Sequence, residues 1–272
     1  QGEIAICFPE VIDIKDKYKL FTFFPMNAQP CDFPVVLHAE EFLLVGNRDA
    51  LEKSPDNKPI LKSLLVLLLK TANYFAKPEY GTMAMDMLYH NSLSNDSVFY
   101  EFKDWFYEKL ANCQIIPTLQ SEYKSLNDQL RLCPKEFDDC HDVFERIDKT
   151  VSEDIKQRLP DELKNHILDF SPDEIYDEIN KISDLLNSNT RALLFYDWKD
   201  FYGANDLMPK ILKNTNGEYF TYDSETHDKI YLTATDMDII DIPEWATHSV
   251  VDIQDKDALC DNINKLGYYY NP

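Results

Sequence analysis

Residues 20–54 read LFTFFPMNAQPCDFPVVLHAEEFLLVGNRDALEKS, and the fold turns on how this stretch is parsed. The run YKLFTFF at 18–24 alternates and the run FPVVL at 33–37 is β-branched, so both predict strands, joined by a polar connection that contains proline. Further on, FLLV at 42–45 leads into Gly46 and the charged segment NRDALEK at 47–53, which ends before Pro55. Gly46 suits a close backbone approach and Asn47 suits a helix N-cap. The order therefore predicts a strand handing over to a helix start, with Arg48 in the first turn. The first turn of a helix favours acids, so an arginine there is unusual. On the residues alone it reads as a solvated side chain whose stem lies on apolar neighbours.

The same order of features resembles the segment that follows the ATPase domain in sacsin and in the plant NO VEIN proteins: aromatic strand, Phe-Pro, second strand, acidic-Phe-Leu-Leu, then Asn47-Arg48-Asp49. Residues 47–52 also resemble the serine-arginine-glutamate loop in the middle domain of the ninety-kilodalton heat-shock chaperones. The resemblance implies that Arg48 reaches the terminal phosphate of ATP held in a neighbouring domain. Asp49 would be its acidic neighbour, and Glu52 would stand where the chaperones have glutamine. The chain departs from the pattern at Asn47, in place of serine, and at the charge of Glu52. A guanidinium is suited to the role, because its planar fork of donors matches phosphate oxygens. Supplied from a second domain, it couples nucleotide state to domain closure.

The parts that would hold the nucleotide are not in this sequence. ATPases of the gyrase, heat-shock and histidine-kinase type cover the phosphates with glycine-rich loops, whereas Gly2, Gly46, Gly81, Gly203, Gly217 and Gly267 are dispersed. The chain opens on Gln1, and residues 3–8 (EIAICF) already read as a strand, so the expectation is a piece whose ATP-binding domain lies upstream. ATP and magnesium are then expected in the parent protein rather than on this chain. Its partners would be that upstream domain and a protein client, with a homodimer of the parent left open.

At 272 residues, 44% of them hydrophobic and 13% aromatic, the chain can fill two ordinary domains. A net charge of −22 repels a phosphate backbone and argues against a nucleic-acid partner. The apolar run at 60–69 falls short of the roughly 20 residues that span a bilayer, so no membrane partner is expected. The six cysteines lack the spacing of a zinc site or a disulfide framework, which points to reduced thiols in the cytoplasm.

The expected architecture is an α/β first domain over 1–112, a transducer-like sheet with packed helices, followed by an acidic, mostly helical α+β domain over 113–272. Residues 58–77 predict a buried helix, with Pro59 near its start. Met83, Met87 and the stripe Phe99, Phe102, Phe106, Leu110 read as packing, and 113–119 as a short strand. Ser171-Pro172-Asp173-Glu174 is a capping box that opens an amphipathic helix carrying Ile175, Ile179 and Ile182. Asn216-Gly217 predicts a turn, residues 218–222 and 230–233 a small antiparallel pair, and 257–266 a closing helix.

Other chemistry is sparse. The DDCHD run at 138–142 gathers metal-capable side chains, but helical neighbours diverge and no metal site is expected. His38, beside Ala39-Glu40-Glu41, is either a structural histidine or the base of a stand-alone hydrolase, and no partner nucleophile accompanies it. Two functions stand against each other: coupling of ATP turnover to conformational change, possible chaperone-type work, or a non-catalytic protein-interaction module.

Overall fold

Alternation in the first forty residues gives short strands rather than long ones, and prolines set their limits. The computed structural model describes residues 2–13, 18–90, 93–202, 208–220, 251–252, 254–255 and 257–259. Strands β1 (Ile4–Cys7), β2 (Lys19–Phe21), β3 (Pro25–Pro30) and β4 (Val36–Ala39) form one sheet in the order β1-β4-β2-β3. β4 runs antiparallel to β1 and parallel to β2, while β3 is antiparallel to β2. The polar connection expected between two strands is thus itself a strand. Pro25 and Pro30 are tolerated because β3 lies at the sheet edge, where a missing N–H costs no ladder bond.

One face of the sheet carries Leu20, Leu37 and Ala39, all fully buried, with Ile4 and Ile6 beside them. Helix α1 (Asn57–Phe75) joins the same core through Leu61, Leu64, Leu65, Leu68 and Ala72, at the helical spacing that the sequence predicts. The core continues through α2 (Met83–Asp86) and α3 (Lys103–Ala111), where Met85, Met87, Phe99, Phe106 and Leu110 are buried. Three ring edges, from His90, Phe99 and Phe106, meet the face or edge of Phe33 at centroid distances of 5.1, 5.6 and 5.6 Å.

After these come the hairpin β5 (Ile116–Pro117) and β6 (Tyr123–Lys124), then β7 (Arg131–Leu132), α4 (His141–Phe144) and β8 (Thr150–Val151). Helices α5 (Glu153–Gln157) and α6 (Asp161–Lys164) lead to β9 (Leu168–Asp169). The chain divides into two compact units, residues 1–132 with 149–168 and residues 133–148 with 169–272. Residues 113–132 and 149–168, which the sequence places in its second domain, therefore belong to the first unit. The physical reasons are visible: Val151, Ile155, Leu159, Leu163 and Ile167 enter the same core as α1. Arg158 pairs with Asp86, Lys103 pairs with Glu162 at 2.6 Å, and β7 runs parallel to β8.

The second unit holds α7 (Pro172–Ile182), α8 (Ser188–Tyr202) and the hairpin β10 (Leu212–Lys213) and β11 (Tyr219–Phe220). The Ser171 and Glu174 capping box is formed, and Ile175, Ile179 and Ile182 are buried. The Asn216-Gly217 turn is present, with Gly217 left-handed at φ 84°, but β11 pairs back to 212–213. Residues 230–233, the expected partner, lie outside the described residues, as does the expected closing helix beyond Leu259. Buried Arg191 grips the Asp255 carboxylate, which also accepts from the Lys213 N–H at 2.9 Å. No helix among the described residues is long and apolar enough to cross a membrane.

His90 is buried in the first unit. Its Nδ1 donates to the Leu88 carbonyl at 2.6 Å, which leaves Nε2 to accept from the Tyr107 hydroxyl at 3.1 Å. Burial pulls the imidazole down to about 4 and pushes the Tyr107 phenol up to about 12. The folded ring is therefore neutral where the unfolded ring, near 6.5, takes up a proton, so stability falls as pH drops from 6.5 towards 4. Urea unfolding should lose about 1 kcal/mol between pH 7.5 and 5.5, and His90→Gln should flatten that slope. An unchanged slope in the variant would assign the proton uptake elsewhere.

Candidate functional site

Arg48 does not open a helix. Leu44 and Leu51 form an antiparallel bridge, Val45 N–H donates to Ala50 O at 3.1 Å, and Glu52 N–H donates to Leu43 O at 2.8 Å. The segment is a narrow loop, closed at its tip by Arg48 N–H donating to Val45 O at 2.8 Å. Asn47 caps within it, its Oδ1 accepting from the Asp49 N–H at 3.2 Å, as asparagine does in turns. The helix begins only at Asn57. Hairpin-type closure wins over a helix start because the bridge satisfies backbone groups on both sides of the turn.

Arg48 adopts φ 63°, the left-handed region where a turn of this kind usually places glycine. Gly46 is not the strained position: its φ is not positive, and a Cβ there would meet nothing within 4 Å. The expectation of a close backbone approach at Gly46 is corrected accordingly. A left-handed conformation costs a non-glycine residue about 1–2 kcal/mol, which the anchors of the loop must offset.

Two anchors do so. On one side Ala28 N–H of edge strand β3 donates to Asp49 O at 2.9 Å. On the other, the Asn57 side chain, only 3% exposed, makes three bonds at 2.9 Å: it donates to Leu43 O and Glu52 O and accepts from Leu43 N–H. Asn57 thereby ties both stems of the loop to the first turn of α1. Its partners, Leu43 and Glu52, lie across the loop, and the only local signal for it in the sequence is an asparagine just ahead of Pro59.

Set on this frame, Arg48 is exposed and makes no ion pair among the described residues. Asp49 is half-buried beside it, and Glu52 is exposed at the loop base. The three expected residues thus share one loop, with the guanidinium at the tip. Phe23 and Phe24, 76% and 67% exposed, cap the β2–β3 connection. They precede the start of β3, about 10 Å along that strand from Ala28 at the usual rise.

His38 stands apart. It lies within β4, half-buried on the face opposite α1, paired in register with Ala5 and Phe21. No serine or cysteine is hydrogen-bonded to it among the described residues. In the 138–142 run, Asp142 Oδ2 accepts from Thr190 Oγ1 at 2.9 Å and Cys140 Sγ donates to Asp197 at 3.2 Å, so these side chains serve packing contacts of the second unit. No group of three metal-capable side chains converges among the described residues. No protein-family model, curated protein or solved structure gives a significant match to the chain.

Arg48→Gly should raise the unfolding free energy by about 0.5–1 kcal/mol by relieving the left-handed strain. Asn57→Ala should lower it by about 2–3 kcal/mol, because the three bonds that tie both loop stems to α1 are lost and Leu43 N–H is left without its acceptor. Urea unfolding checks both, and destabilisation by Arg48→Gly would contradict the strain assignment.

Proposed function

We propose that this chain is the transducer or middle region of a sacsin-like ATPase, with Arg48 as the sensor of a nucleotide phosphate bound in a neighbouring domain. The observation that supports it best is the presentation of Arg48: an exposed, unpaired guanidinium held in a strained conformation on a loop anchored from two sides. Strain of this sort persists where surrounding structure over-determines it, and it clusters at ligand clamps and switches.

What the chain offers matches part of a phosphate site. An unpaired planar fork of donors fits anionic oxygens. ATP with magnesium, held by the proposed upstream domain, would supply the phosphate charge that the fork recognises. Arg48 would orient towards that charge in the closed state. Asp49, through its backbone bond to β3, would keep the tip in place, and Glu52 sits at the base, away from the tip. Because the stems are tied to α1 through Asn57, a pull on the tip would pass to the helix and so to the sheet beneath it. The division of the parent into a transducer-like α/β domain and an acidic α+β domain, its cytoplasmic setting and its chaperone-type client belong to the same proposal.

A second reading rests on a different observation. Phe23 and Phe24, at the β2–β3 connection, keep most of their surface in solvent, as expected of an interaction module without nucleotide coupling.

ATP turnover of the full-length protein separates the two. Arg48→Ala should slow it by about tenfold to a thousandfold, the range for removing a charge-stabilising group. The double change Phe23→Ser and Phe24→Ser should leave it intact. Unchanged turnover in Arg48→Ala would remove Arg48 from the mechanism and favour the interaction module.

A further inference from the structure

The two edges of the first sheet are treated differently. β3 carries proline at both ends and is overlain by the Arg48 loop through the bond from Ala28 to Asp49. β1, sequence IAIC, has neither a proline nor a charge within it, and among the described residues no strand pairs with its outer side. Proline, charge and covering loops normally blunt an edge, and the unpaired edge of β1, four residues long, is a template for pairing.

The register shows which groups are free. Glu40 N–H donates to Glu3 O, so residues 3, 5 and 7 face β4 in the antiparallel ladder. The N–H and C=O groups of Ile4 and Ile6 therefore point outwards. Beside Ile4 runs a shallow groove of about 480 Å³, lined along α1 by Pro59, Lys62, Ser63, Val66, Leu67 and Lys70. Val66 and Leu67 form an apolar floor, and Lys62 and Lys70, both exposed, stand at its two ends. Lys62 Nζ rests 4.9 Å from the Trp105 ring centroid, and neither lysine has an acidic partner among the described residues. In a chain of net charge −22, a groove whose only charges are two cations is selective for an anionic occupant.

We propose that β1 and the outer face of α1 form a β-augmentation site for an extended peptide of a partner protein, of the pattern acid-x-apolar-x-acid. The added strand would pair with the outward groups of Ile4 and Ile6. Its α1-facing side chains would be the first, third and fifth. Lys62 and Lys70 are two helical turns apart, roughly 12 Å. Acids four residues apart on a strand are separated by roughly 13 Å, with the apolar residue between them over Val66 and Leu67. Main-chain bonds would provide affinity and the alternate side chains specificity. This site is separate from the Arg48 loop and does not rest on its proposed role.

The test is fluorescence anisotropy with a labelled Gly-Glu-Thr-Val-Thr-Glu-Gly peptide, set against Gly-Thr-Glu-Val-Glu-Thr-Gly, which has the same composition but turns its acids to the opposite face. The first should bind saturably, and the second at least about tenfold more weakly. Lys62→Glu with Lys70→Glu should weaken the first by about tenfold or more. Ile6→Pro, which removes an outward N–H together with a partly buried side chain, should abolish binding while a cooperative thermal melt is retained. If Ile6→Pro fails to fold, a peptide N-methylated on alternate residues replaces it and should not bind. Equal binding of both peptides, no saturable binding, or a dimer by sedimentation that Ile6→Pro dissociates would each overturn the proposal, the last in favour of a second copy of the chain.

Discussion

The buried carboxamide of Asn57 bonds Leu43 N–H, Leu43 O and Glu52 O on the two stems of the Arg48 loop, and most of what is distinctive in the first unit depends on this tie. A buried carboxamide without partners costs more than a typical hydrogen bond contributes, so a side chain whose donors and acceptor are all spent on the two stems fixes their geometry more firmly than its nominal strength suggests. Through it the segment from Leu43 to Glu52 is a defined loop, and α1 starts where it does.

α1 then serves three purposes with three parts of its surface. Its inner stripe of Leu61, Leu64, Leu65 and Leu68 joins the sheet core, its first turn carries the loop, and its outer stripe of Lys62, Val66, Leu67 and Lys70 lines a groove beside β1. A helix apolar on more than one side is expected to be covered on more than one side. The contrast between the protected edge at β3 and the bare edge at β1 points in the same direction.

Local order was legible in the sequence, and contacts between distant segments were not. The capping box at Ser171, the Pro59 start and leucine spacing of α1, and the strand at 4–7 all follow from neighbours within a turn or two. β3 was hidden because Pro25 and Pro30 argue against a strand unless it is known to lie at an edge, which is a tertiary fact. The Arg48 loop was misassigned for a related reason. Asn47 suits a helix cap and a turn equally well, and the bridge between Leu44 and Leu51 decides between them. Residues 149–168 joined the first unit through Asp86, Arg158 and buried aliphatic residues far away in sequence. The candidate residues Arg48, Asp49 and Glu52 were found by their local order, whereas Asn57, which holds them, has its partners across the loop.

We propose that the preformed loop senses a phosphate through Arg48. Hydrogen exchange of residues 43–52 in the full-length protein addresses it most directly, with ATP and ADP compared. Phosphate sensing by Arg48 predicts slower exchange in this loop with ATP than with ADP, and loss of that difference in Arg48→Gln. Identical exchange in the two nucleotide states, or a difference that persists in Arg48→Gln, would contradict it.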